Sequence, residues 1–272
     1  MAEMDRTTVP EPTAPSAQPR WARLASLGLI LAACGPLLML LAGLAWGLDV
    51  GDEVPFFGIT AVIAFLGAFL VGRFGTWGKV GGIVAAVLVS GALFWTAFGL
   101  AAPTSFFDFM PGVLVMPGAL IAIVSCVAAL MAGKRAAPAT GSDPEPRAIR
   151  VVLTAVVVLA VLSGALTFLS RSSVDEAEAA DAAFTVTQSD FEFDEEQYQV
   201  AGGSQVLVEN SDPFQHTFTI EELDVDVAIA PGSEELIEIP AEAGEYILFC
   251  RPHTSDPEDP TGDDMAATIT VE

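Results

Sequence analysis

Positive charge is nearly absent from the last hundred residues of this 272-residue chain: after Val174 there are 26 of its 35 acidic residues and one basic side chain, Arg251. The formal net charge of −24 therefore belongs to the tail. So dense a surface of one sign repels nucleic acid and anionic lipid head groups, and favours a cationic partner or a high-salt milieu. Asp, Glu, Lys, Arg and His are missing altogether from five apolar runs, 24–48, 54–71, 80–101, 113–131 and 151–169. Proton relays, ion pathways and haem ligation need such groups within the membrane, so their absence argues against a pump, a charge-coupled transporter or a haem carrier. Cysteine is scarce too. Cys34 and Cys126 sit in apolar runs, where a thiol behaves as a small hydrophobe, and only Cys250 lies in the polar tail, which excludes a disulfide within that tail. Histidine occurs twice, at His216 and His253, both in the tail.

What is present divides the chain. Hydrophobic residues make up 52% and charged residues 17%, too apolar for one soluble domain and too charged for a wholly intramembrane one. Each of the five runs is about long enough to span a bilayer as a helix, so a membrane helical bundle is expected over 21–170. Arg6, Arg20 and Arg23 precede the first span; Arg73 and Lys79 separate the second from the third; Lys134, Arg135, Arg147 and Arg150 separate the fourth from the fifth. The alternate loops carry only Asp49, Asp52, Glu53 and Asp108. Lys and Arg beside a span resist translocation, so the expected topology is N-terminus cytoplasmic and tail outside. Trp21, Trp46 and Trp77 near span ends fit interfacial anchors. The sequence Leu31-Ala32-Ala33-Cys34-Gly35 resembles a lipoprotein processing box, but its apolar run continues through Pro36 to Leu48, as one span would. Residues 1–20, rich in Pro, Thr and Ala, read as a disordered cytoplasmic lead.

An acidic linker over 171–183 precedes a tail of different texture, 184–272. Short β-rich runs at 183–187, 197–200, 205–209, 217–220, 225–230, 235–239, 245–250 and 267–271 are broken by turns such as Ala201-Gly202-Gly203 and Pro231-Gly232-Ser233. That spacing predicts an all-β sandwich. Within it, His253 stands three residues after Cys250, and His216 lies on another hairpin. A thiolate and two imidazoles are the trigonal set that favours copper, with a distant thioether such as Met265 as weak axial ligand. Singly, each histidine is more often a satisfied polar residue than a ligand, and Met265 also suits a core.

At these residues the sequence resembles the cupredoxin family of plastocyanin and amicyanin. The segment Val206-Leu-Val-Glu-Asn-Ser-Asp-Pro-Phe-Gln-His-Thr-Phe is similar to the strand and Asn-x-Asp turn before the family's first histidine ligand, which falls on His216. Gly244-Glu-Tyr-Ile-Leu-Phe-Cys-Arg-Pro-His resembles the stretch carrying the thiolate and second histidine, Cys250 and His253. Met265-Ala-Ala-Thr-Ile-Thr-Val-Glu resembles the ending that carries the axial methionine. Two departures stand out: residues 254–264, with Asp256, Glu258, Asp259, Asp263 and Asp264, intervene where the family has only a few, and Ala267 replaces a glycine. The insertion reads as a solvated loop or a docking site. A binuclear copper centre would need a second cysteine in this loop, and a multicopper oxidase more histidines than two.

The resemblance implies a Greek-key sandwich holding one mononuclear type 1 copper ion and a one-electron carrier rather than a catalyst. Copper delivery or sensing, or a structural module on a membrane scaffold, are the alternatives. The expected partners are the lipid bilayer and a membrane or extracytoplasmic redox protein with a basic docking patch. The Ala-rich, Lys-poor composition suggests a GC-rich prokaryote, and the expected location is its plasma membrane, crossed several times.

Overall fold

The computed structural model describes residues 20–46, 54–132, 145–261 and 264–272. The expected disordered lead, apart from the backbone of Arg20, lies outside the described residues, as do Asp49, Asp52, Glu53, Lys134, Arg135 and Asp263. Five helices follow one another: α1 (Arg20–Trp46), α2 (Val54–Arg73), α3 (Gly75–Ala92), α4 (Phe106–Ala132) and α5 (Glu145–Leu169). All five are long and apolar enough to cross a membrane. Their contacts run antiparallel. Gly28 of α1 meets Gly118 of α4, whereas Gly35 meets Val115 and Pro111; Gly82 of α3 meets Cys126, whereas Gly112 meets Thr96. The α1–α4 crossing admits no side chain, since a Cβ on Gly28 would fall 2.5 Å from the Gly118 carbonyl oxygen. Small residues that let backbones approach are the usual device for packing helices where no hydrophobic driving force separates protein from solvent.

An up-and-down bundle puts the N-terminal ends of α1, α3 and α5 with the C-terminal ends of α2 and α4. Arg23, Arg73, Lys79, Arg147 and Arg150 therefore gather at one end, and the β-domain leaves from the other, after Leu169. The helices overrun the apolar runs at this basic end.

The third run, expected as one span over 80–101, is two pieces. Gly75, with φ of +50°, lets the chain turn sharply out of α2 so that α3 starts early. At the other end α3 stops at Ala92 and a 3-10 helix covers Phe94–Ala101. Thr96 bonds back to the Leu93 carbonyl through its amide at 3.0 Å and its hydroxyl at 2.8 Å, the three-residue spacing of the tighter helix. The fourth span also starts earlier than expected, at Phe106, which moves Asp108 from a loop into the first turn of α4. A carboxylate there faces unpaired helix amides and the positive end of the helix dipole. The Ser105 hydroxyl donates to it.

The tail folds as two sheets. A four-stranded sheet, β2-β1-β4-β7, contains β1 (Thr185–Ser189), β2 (Glu192–Phe193), β4 (Gln205–Asn210) and β7 (Glu234–Glu238). A five-stranded sheet, β3-β9-β8-β5-β6, contains β3 (Gln197–Val200), β5 (His216–Ile220), β6 (Val225–Ile229), β8 (Gly244–Phe249) and β9 (Ala266–Val271). Val186, Val206, Val208, Phe218, Ile237, Leu248 and Ile269 fill the space between them. The expected runs match these strands closely, except that β2 was not foreseen and β8 ends at Phe249, leaving Cys250 just beyond it. The segment expected as a tether adds to the sandwich. Ser172 donates through its amide to Ser233 Oγ and through its hydroxyl to Glu235 at 2.6 Å, and the Val174 amide donates to Glu234.

The β-domain also touches the bundle directly. The Gln215 amide donates to Asp108 Oδ2 at 2.8 Å, Thr104 bonds the Gln215 side chain, and Phe107 packs edge-on to Phe214.

Candidate metal centre

The centre begins with a turn that the sequence specifies well. Asn210 at the end of β4 donates its side-chain amide to the Phe214 and Ile229 carbonyls and accepts the Asp212 amide through Oδ1. Asparagine suits this because one short side chain can satisfy both faces of a loop. The chain returns with His216 as the first residue of β5, fully buried. From the neighbouring strand, β8 delivers Cys250, also fully buried, and a single 3-10 turn, Arg251–His253, swings the second imidazole back over it.

The three donor atoms form a tight triangle. Cys250 Sγ is 3.3 Å from His253 Nδ1 and 3.6 Å from His216 Nδ1, and the two nitrogens are 3.1 Å apart. A point about 1.9 Å from all three satisfies these separations, close to the roughly 2.0–2.3 Å of imidazole and thiolate bonds to a first-row metal. Two ring lone pairs at this distance repel each other unless a proton or a cation lies between them. The arrangement fits one mononuclear copper ion, for which two imidazoles and a thiolate are the characteristic set.

Groups behind the ligands fix their orientation. His216 Nε2 lies 2.7 Å from Asp212 Oδ2, and the Asp190 and Phe191 amides donate to the two oxygens of the same carboxylate. Burial pushes the Asp212 carboxyl up, but the bonds from His216 and from those amides outweigh it and hold the group below the ordinary value. An ionised Asp212 keeps the proton on His216 Nε2 and leaves the Nδ1 lone pair facing the centre. Asp190 and Phe191 reach this position with φ of +55° and +62°, in the left-handed region. Phe191 then covers the imidazoles, its ring centroid 5.8 Å from that of His216 and 4.9 Å from that of His253. The Thr217 amide points at Cys250 Sγ from 3.3 Å.

Without metal the site is set against charge. Burial pushes the Cys250 thiol up to about 11, and burial with the neighbouring His216 pushes the His253 imidazole down to about 3. A cation reverses the first preference by taking the thiolate directly.

Met265, the fourth expected ligand, is 2% exposed and held by its backbone: Cys250 donates to its carbonyl at 2.9 Å and its amide donates to His253 at 3.1 Å. The acidic insertion closes on itself through Asp264, which accepts the Ser255 and Thr261 amides at 2.7 Å each. The long detour therefore returns Met265 to the Cys250–His253 turn. Sequence reasoning singled out the three side chains that the structure brings together, His216, Cys250 and His253, but missed Asp212, Phe191, Thr217 and Asp108. Of these, Asp212 alone carried a signal, a carboxylate four residues before a histidine beside a turn asparagine.

Fold and site together define the tail as a cupredoxin-like domain, and residues 155–259 match the family model of that description. The match begins inside α5 and stops short of Met265 and β9. Among solved structures, the chain is similar to a methionine-to-alanine mutant of amicyanin in its Cu(I) form at 23% identity, covering 38% of this chain and 94% of that one with a TM-score of 0.27. It is similar to an oxidised methionine-to-leucine mutant of amicyanin at 21% identity, with the same coverage and a TM-score of 0.29. A copper-containing nitrite reductase from Thermus scotoductus aligns at 20% identity over 38% of this chain and 27% of that one, with a TM-score of 0.26. No curated protein matches the chain.

Proposed function

We propose that this chain is a membrane-anchored one-electron carrier whose copper centre, held by His216, Cys250 and His253 with Met265 as axial ligand, stands on the extracytoplasmic face. The observation that carries this reading is the buried donor triangle with its second layer already in place. Bound copper supplies the one-electron couple, Cu(II) to Cu(I). The protein's share is rigidity: Asp212 holds the His216 proton, the Thr217 amide donates to the sulfur, and Phe191 keeps water from the rings. A site that moves little between oxidation states transfers an electron with little rearrangement.

Burial of Cys250 and His216 favours a retained cofactor over copper delivery, because a carrier that hands over its metal needs an accessible thiolate. The grouping of described basic residues at the end of the bundle opposite the β-domain supports a cytoplasmic N-terminus and an exported tail. The acidic surface suits a membrane or extracytoplasmic redox partner with a basic patch, and association with it should slow as salt rises. A noncatalytic role fits a site whose donors are all committed to the metal.

The test is electrochemistry on the copper-loaded full chain in lipid nanodiscs, with a Cu(I) chelator present. Reversible one-electron cycling with the copper retained supports the carrier. Rapid loss of copper to the chelator on reduction would replace it with delivery.

A further inference from the structure

At the seam between the bundle and the β-domain lies a cavity of about 540 Å³, lined from both sides. Met39 of α1, Trp95 and Phe98 of the 3-10 helix and Pro111 of α4 supply apolar walls; Pro252 and His253 close the end nearest the metal centre. Its volume is within the range of small-molecule sites, and its make-up, mostly apolar with a few convergent polar groups, is theirs as well. Phe98, one of its walls, is 74% exposed, and Phe94 of the same 3-10 helix is 61% exposed. These residues lie at the end of an apolar bundle, where the surroundings are lipid.

We infer that this cavity binds the head ring of a lipid-soluble quinone or hydroquinone, with a ring oxygen accepting the Nε2–H of His253. His253 turns Nδ1 toward Cys250 and His216, so Nε2 is its outward edge, and that nitrogen has no hydrogen-bond partner among the described residues. With Nδ1 giving its lone pair to the bound metal, a neutral imidazole carries its proton on Nε2 and donates. The aromatic side chains of Trp95 and Phe98 suit a ring, and the exposed Phe98 and Phe94 suit an isoprenoid or alkyl tail. Charge argues against a phospholipid head group as occupant. A phosphate would face the Asp108 carboxylate and an acidic domain, and the one cation among the described residues lining the cavity, Arg251, is 3.3 Å from Asp226. A neutral ring meets no such opposition.

The inference rests on the electron-carrier reading for its purpose, but binding is tested without it. The full chain, loaded with redox-inert Zn(II) so that both Nδ1 lone pairs are engaged, in phosphatidylcholine nanodiscs is titrated with decylubiquinone while tryptophan fluorescence is followed. Saturable quenching is expected, lost in large part in Trp95→Phe. Ala102→Phe, which places a ring in the cavity, should weaken binding by at least about tenfold, or 1.4 kcal/mol. In the copper-loaded chain the same quinone should perturb the Cu(II) EPR spectrum.

Quenching that stays linear with quinone in the bilayer, in the unaltered chain, overturns the inference whether or not Ala102→Phe folds. So does a phosphatidylglycerol retained at one per chain that blocks the quinone, which would assign the cavity to a lipid. A colourless copper complex beside saturable binding to the zinc-loaded chain would remove the carrier reading and leave the cavity site standing.

Discussion

In the helical half, α1 and α4 meet where Gly28 and Gly118 leave no room for side chains, and Asp108 is the one acid described in any of the five spans. In the β-domain, by contrast, His216, Asp212, Asn210 and Gln188 are buried, and each is hydrogen-bonded through its side chain. The bundle is held by backbone proximity and is chemically bland. The domain is held by an apolar core plus a polar network, in which Gln188 Oε1 alone among the buried side-chain polar atoms of the described residues lacks a partner, and that network reaches the His216–Cys250–His253 cluster. The difference locates the chemistry in the tail and assigns positioning to the helices. Asp108 is the exception, reaching across the seam to the backbone of Gln215, the residue before His216.

Breaking the bland half should have the largest structural effect. Gly118→Leu drives a side chain into the Gly28 carbonyl and should cost several kcal/mol, lowering the melting temperature of the purified chain and disturbing its size-exclusion profile. A variant as stable as the parent would mean that the close crossing is not what holds α1 to α4.

The polar network should respond next. Asp212→Ala leaves His216 Nε2–H buried without its acceptor and removes the carboxylate that two backbone amides donate to, and copper affinity should fall about 10–100-fold. Asp212→Asn should recover part of that loss. Equal affinity in all three proteins by competition titration would reduce Asp212 to a turn residue.

Acidity distinguishes the His253 imidazole from the Cys250 thiol. With the thiol of the metal-free site near 11 and His253 neutral above about 3, copper uptake at neutral pH should release one proton, from Cys250. Affinity should then rise about tenfold per pH unit across the neutral range, measured by calorimetry in buffers of differing ionisation enthalpy. Release of two protons would show that an imidazole was charged. The same His253 shift fixes the sign for stability of the metal-free domain. The unfolded chain binds more protons between 6.5 and about 3, so stability present above 6.5 should fall as pH drops through that window.

The smallest effect belongs to the insertion. Met265→Leu keeps the volume and the backbone bonds to Cys250 and His253, so the optical spectrum should persist while the reduction potential moves. An unmoved potential would make Met265 a core residue.

Strand positions were legible because burial alternates with period two, as in β3 and β9. Cys250 and His253 were legible because one turn separates them. Hidden features share one property: they depend on contacts far along the chain or on rare backbone geometry. The β1–β2 hairpin needs Asp190 and Phe191 in left-handed conformations that neither side chain advertises. Asp108 looked like a loop acid because its partner lies 107 residues away. The long insertion obscured Met265 because nothing local shows that Asp264 closes the loop.

The most direct test of the account is to load the full chain with copper and record optical and EPR spectra beside Cys250→Ser. The account predicts an intensely coloured thiolate–copper centre in the parent that Cys250→Ser abolishes. A colourless parent with an ordinary tetragonal Cu(II) signal, unchanged in Cys250→Ser, would contradict it.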